Sequence, residues 1–369
     1  MFHRLFAAAL AGLLVAAVAA AALPPSAAGA SGAVFTMSNA SGKNKVMAWS
    51  RAANGSLTFA GSKATGGRGW GGQLNNQGGL AIGGDWLYAV NAGSNTVSVF
   101  RRNGTSLTRT DVEPSGGAKP ISVAVDGTLV YVLNAGGNGG VRGFRRDANG
   151  QLTPIAGAAR PLSGSNVKPV QIGFTRDGAY VLVTERATDR ITRYRVTPTG
   201  AIDAPQSTSS EGPEPFGFDV APDGTLVVSE AGNHVQDASS VSSYRFNASG
   251  APVVVSSAVP TTETAACWVT ITPNGDFAYE TNTPDHSISG FALGTNGSVS
   301  MLNANGVTAA TGAGSFPIDL DTSSDSGFLY VLTAGTDRIL VFAIGANGAL
   351  AARPGVGGLP NNANGLVAR

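Results

Sequence analysis

The sequence holds a single cysteine, Cys267, so no intrachain disulfide can form and the fold must rest on burial and backbone pairing. Cys267 lies in the apolar run Ala266–Ile271, which predicts a buried, inert thiol rather than a nucleophile. Charge is scarce as well: 13% of residues are charged, the net charge is +1, and no basic block occurs. That leaves no electrostatic footprint for nucleic acid. His234 and His286 are the only histidines beyond the first thirty residues, and no dense run of ligand residues surrounds them. The expectation is no metal and no cofactor. Amphipathic helical periodicity is missing throughout, and no shift in composition marks a linker between domains.

What the sequence has in abundance is glycine, 51 of 369 residues, without the Gly-X-Y period of collagen. Many of these glycines fall into a repeat. A turn tag followed by an aliphatic residue recurs seven times, centred on Gly55, Gly104, Gly150, Gly200, Gly250, Gly297 and Gly348, about 49 residues apart. Asn-Gly and its relatives supply the positive φ that tight hairpins need. Within each period, alternating apolar runs such as Val170–Phe174, Trp86–Val90 and Thr96–Phe100 predict four short strands. Seven such quartets predict an all-β chain, a seven-bladed β-propeller. The segment Asn364–Ala368 copies Gly79–Ile82, the inner strand of another period, while Ala33–Ser38 reads as a second strand lacking its inner neighbour. The ring is therefore expected to close by the C-terminal strand joining the first blade, which removes an open edge.

The first thirty residues stand apart. His3 and Arg4 precede an apolar run from Leu5 to Leu23, followed by Pro24, Pro25 and a small-residue stretch ending at Ala30. This predicts a secretory signal over residues 1–30, cleaved to leave no stable membrane anchor, and one propeller domain over 31–369, secreted or periplasmic. A self-contained ring predicts a monomer.

Several segments carry a resemblance to a known family: Lys168–Ile172 with Asp177-Gly178, Thr184–Ile191, Glu214–Phe218 with Ser229–Gly232, Thr261–Val269, and Thr333–Ile339. The chain resembles the lactonase-like seven-bladed propellers, relatives of propeller-type 6-phosphogluconolactonases and carboxymuconate-lactonizing enzymes, in particular a secreted bacterial subgroup. The resemblance implies hydrolysis of a sugar or carboxylated lactone at the central channel mouth. It also implies a histidine at the start of an inner strand. Here those positions read Lys119, Lys168, Glu214, Ala265 and Phe316.

Lactone hydrolysis needs an activated water, a donor for the developing oxyanion and a cation for an acidic substrate. Glu185 and Glu230 end equivalent middle strands, where other periods carry Asn91 and Asn134, and are candidate general bases. His234, in the longest hairpin loop, is a candidate acid or base. Lys119, Lys168 and Arg186 are candidate anion-binding residues. Arg68 and Trp70 lie in a glycine-rich loop expected to be flexible and to cover a ligand. The competing expectation is a non-catalytic propeller whose face binds a protein, glycan or cell-wall component.

Overall fold

The computed structural model describes residues 30–369. The signal expected over residues 1–30 therefore falls, apart from its last residue, outside the described part. Among the described residues nearly all regular structure is β, arranged as seven antiparallel sheets. Blade one consists of Ala30–Met37, Lys45–Ala52 and Leu57–Ala64, with Asn364–Ala368 as its innermost strand. Blade two spans residues 80–114, blade three 120–160, blade four 169–209, blade five 215–260, blade six 266–310 and blade seven 317–357. The expected ring closure is borne out: Val34 pairs with Ala368, Phe35 with Val367 and Thr36 with Leu366. No helix among the described residues is long and apolar enough to cross a membrane.

Each blade buries both faces against its neighbours, so its middle strands are apolar almost throughout. The middle strand Trp86–Asn91 of blade two is buried at every position, and so is the innermost strand of blade six, Ala266–Ile271. The recurring turn glycine is explained by the same packing. Gly250, at φ +70°, lies flat against Tyr180 of the preceding blade, and a Cβ there would sit 2.0 Å from its ring. Gly55 meets Phe328, Gly150 meets Trp86 and Gly348 meets Phe277 in the same way. Several of these contacts are sealed by a tyrosine hydroxyl donating to the tag, as Tyr279 does to the Gly348 carbonyl at 2.8 Å and Tyr330 to Gly55 at 3.1 Å. The tag is thus a hairpin and a blade-to-blade clasp at once. Gly250→Ala combines a disfavoured φ with this collision, and should lower stability by about 2 kcal/mol or more. Thermal unfolding followed by circular dichroism measures it.

Near the axis, polar side chains link each inner strand to the next. The Gln171 Oε1 accepts the Phe218 amide N–H at 2.8 Å, and Asp219 accepts that of Ile271 at 2.8 Å. Asp319 and Asp321 accept the N–H groups of Leu366 and Ala368 at 3.0 and 2.8 Å, fastening the C-terminal strand. Burial pushes the Asp219 carboxyl up to about 6, and it raises those of Asp319 and Asp321 as well.

The Gln77 amide reaches across the channel, donating to the Val269 carbonyl at 2.7 Å and accepting its N–H at 3.2 Å. The Trp268 indole N–H donates to the Asn76 carbonyl at 2.7 Å. Gly217 makes room for this crossing, since a Cβ there would lie 2.0 Å from the Gln77 Oε1. Beside this crossing lies a cavity of about 260 Å³, lined by Gln77, Ile172, Asp219 and Asp321 among others.

Candidate functional site

All inner strands run the same way, so their entrances share one face of the ring. On the way into each inner strand one residue adopts left-handed backbone: Asn75, Lys119, Lys168, Glu214, Ala265, Phe316 and Asn362, with φ between 46° and 68°. Non-glycine residues rarely sit there, and seven around one mouth point their side chains off the strand line. In blades three, four and five the station carries a charge: Lys119, Lys168 and Glu214.

Glu214 is the centre of the most built-up part of this face. Its side chain is only 11% exposed, yet it lies on the mouth. Arg186 Nη1 donates to its Oε1 at 3.2 Å, and His234 Nε2 stands 3.3 Å from the same oxygen. Its backbone N–H donates to Asp189 at 2.7 Å, while its Oε2 is buried without a protein partner. The floor beside it is aromatic: the Arg186 guanidinium lies 6.0 Å from the Phe216 ring centroid, and Phe216 packs on Trp268 at 4.9 Å. Cys267 is buried there with its thiol pushed well up by desolvation, as expected for an inert cysteine.

His234 reaches Glu214 through a strained turn. Gly232, Asn233 and His234 are consecutive left-handed residues, at φ 64°, 54° and 58°. Gly232 has no space for a side chain, because a Cβ would lie 2.5 Å from the Ala238 carbonyl oxygen. Strain of this kind persists where the surroundings over-determine it, and it concentrates at ligand sites. The imidazole itself is 57% exposed, so it can meet a solute.

The structure thus brings Arg186 and His234 together, joined by a residue the sequence reading had not singled out. Glu185 and Glu230 do end equivalent strands, but neither is exposed to solvent. Glu185 accepts hydrogen bonds from the Ser163 N–H at 3.0 Å and from the Ser163 and Thr188 hydroxyls. Glu230 accepts from Ser210, Ser240 and Ser242 at 2.8, 2.6 and 2.9 Å. Asn91 and Asn282 hold Ser98 and Ser289 from the same slot in their own blades. These carboxylates lie buried in the blade seams, held by hydroxyl donors and, for Glu185, by a backbone N–H.

The Arg68–Trp70 loop is tied down by hydrogen bonds on both sides. Asn39 accepts the Trp70 N–H at 2.7 Å through its side chain and the Gly71 N–H at 2.8 Å through its carbonyl. Its amide also donates to the Gly72 carbonyl at 2.8 Å. Arg68 Nη2 donates to the Gly93 carbonyl at 3.3 Å. The Lys119 ammonium stands 4.4 Å over the Trp70 ring, and Lys168 is exposed. A groove of about 1030 Å³ lies on the opposite face between blades four and five. Its Arg245 is spent on Asp223 and on the Asn296 carbonyl, and it has no imidazole; size alone does not make it the site. Among the described residues no cluster of histidine, cysteine, aspartate and glutamate could hold a metal ion.

Fold and mouth together define a seven-bladed propeller with a charged, aromatic-floored site on one face. The resemblance to the lactonase-like propellers is borne out: residues 159–270 match the family model described as "Lactonase, 7-bladed beta-propeller". That segment contains Lys168, Arg186, Glu214 and His234. A search of curated proteins gives no match. Among solved structures, a Lactobacillus plantarum protein is 19% identical with a TM-score of 0.74, covering 92% of this chain and 99% of its own. A candidate 6-phosphogluconolactonase of Bacteroides fragilis is 16% identical with a TM-score of 0.69, covering 94% and 100%. The periplasmic gluconolactonase of Pseudomonas aeruginosa is 21% identical with a TM-score of 0.58, covering 71% and 78%. At these identities the likeness is one of fold.

Proposed function

We propose that this protein is an exported lactonase-like hydrolase that opens a sugar or carboxylated lactone at the Glu214 mouth. The observation that carries the reading is a buried carboxylate held between a guanidinium and an exposed imidazole, on the face where the inner strands begin. With its Nε2 3.3 Å from Glu214, a neutral His234 would keep its Nδ1 lone pair for a water proton, the logic of a base oriented by an acid. Water adds to the lactone carbonyl carbon, the ring C–O bond breaks, and the proton passes from the imidazole to the leaving ring oxygen. The product is the open hydroxy acid. Arg186 and Lys168 supply positive charge for the oxyanion and for an acidic substituent. The family match over these residues and the gluconolactonase among the fold relatives support this reading over a purely structural mouth.

The test is a panel of sugar and carboxylated lactones followed by acid release. His234→Ala and Glu214→Gln should each lower kcat about 10²- to 10⁴-fold, while Glu185→Gln and Glu230→Gln should act mainly on the melting temperature. Turnover no faster than buffer across the panel, from folded protein, would sink the proposal.

A further inference from the structure

The chain contains four tryptophans, and three are interior: Trp49, Trp86 and Trp268 are 4%, 7% and 6% exposed. Trp70 is 47% exposed on the mouth face. An exposed indole on a floppy loop would carry little meaning, but this one is rigidly presented. Its loop is tied to Asn39 by the hydrogen bonds described above and to blade two through the Gly93 N–H, which donates to the Arg68 carbonyl at 3.0 Å. Gly69 packs so closely that a Cβ would lie 2.1 Å from the Asn39 carbonyl carbon. Lys119 braces the indole from one side, its ammonium 4.4 Å from the ring centroid. The Lys119 backbone is itself fixed, with its N–H donating to Asn95 at 2.8 Å. Burial holds the ammonium below the usual lysine range, a sign that it is partly stripped of water.

From this arrangement we infer that Trp70 and Lys119 form a sugar-stacking subsite for a ring bearing a carboxylate, a uronate-type saccharide. A pyranose presents an apolar C–H face that matches an indole, and the braced ring loses little freedom when it is covered. Lys119 and Lys168 occupy the corresponding stations of adjacent blades and enter no ion pair among the described residues, whereas Arg186 is matched by Glu214. The potential along this arc therefore favours an anionic ring over a neutral one. The inference deepens the reading of the mouth as a sugar-acid site and rests on it for the saccharide chemistry. It requires binding only and no turnover.

Trp70 is the one tryptophan open to ligand, so intrinsic fluorescence reports on this spot. Tri-galacturonate should shift and quench the emission saturably, and a neutral galactotriose should bind at least tenfold more weakly. By calorimetry, Trp70→Ala should weaken tri-galacturonate binding tenfold or more, and Trp70→Phe should restore part of it. Lys119→Gln should erase the preference for the acidic trimer and flatten its salt dependence while keeping the neutral trimer's affinity. Binding is read with no lactone present, which separates this subsite from the hydrolytic reading. Tri-galacturonate binding that is absent, unchanged in Trp70→Ala, or equal for the neutral trimer overturns the inference, whatever the lactone panel shows.

Discussion

A chain ending at Ala363 is expected to lose cooperative unfolding altogether. The removed strand, Asn364–Ala368, is buried along its full length, and burial of Leu366 and Val367 alone is worth about 1.5–3 kcal/mol each. Its loss also strips Ala30–Met37 of its inner pairing partner and leaves Asp319 and Asp321 without the amide N–H groups they accept. Buried carboxyls deprived of donors carry a further cost of about 1–3 kcal/mol apiece. Together these exceed much of a typical domain's margin of 5–15 kcal/mol. Calorimetry should show no sharp transition for the shortened chain, and Leu366→Ala in the intact chain should cost about 2–4 kcal/mol. A truncated protein melting like its parent would mean that the ring is closed by something other than this strand.

Glu280→Val is expected to move stability in the opposite direction. Glu280 lies in the second strand of blade six, at the place held by Val132, Val183, Val228 and Val331 in four other blades. It is fully buried, and neither carboxyl oxygen has a hydrogen-bond partner. Desolvation, followed by the nearby Glu230 and Glu263, raises its pKa well above the ordinary value of 4.5. Such a carboxyl stays protonated in the folded chain and ionises in the unfolded one. Its contribution to stability is therefore fully present below about 4.5 and is lost as pH climbs toward the folded value. The valine variant should be more stable by about 1–3 kcal/mol near neutrality. Its advantage should shrink in acid, and Glu280→Gln, which stays polar but cannot ionise, should recover only part of it. Melting temperatures between about pH 4 and 8 measure this. An advantage independent of pH would show that the carboxyl is not holding a proton.

The ring was legible because its signals are local and repeated. Each Asn-Gly turn needs its φ and its missing side chain for the same reason, and Asn364–Ala368 advertised its place by copying another inner strand. The mouth was legible only in part. Arg186 and His234 stood out as polar loop residues, but Glu214 looked like one more residue before a proline. Its signal was a departure from pattern, an acid at the station where the two preceding blades carry lysine. For Glu185 and Glu230 it was the burial that the residues alone did not announce. They share a slot with Asn91, Asn134 and Asn282, and a slot filled in blade after blade by a hydrogen-bonding side chain belongs to the seams. Glycines around Trp70 suggested mobility because the residue that fixes them, Asn39, is some thirty positions away and announces itself only once the chain is folded.

The bridge made by Gln77 has a consequence for the ring. A propeller axis is often pictured as an open shaft, but here a side chain ahead of blade two is tied across it to the inner strand of blade six. Gln77 also lines the cavity around Asp219 and Asp321, so a solute lodged there would press on the tie that spans the ring.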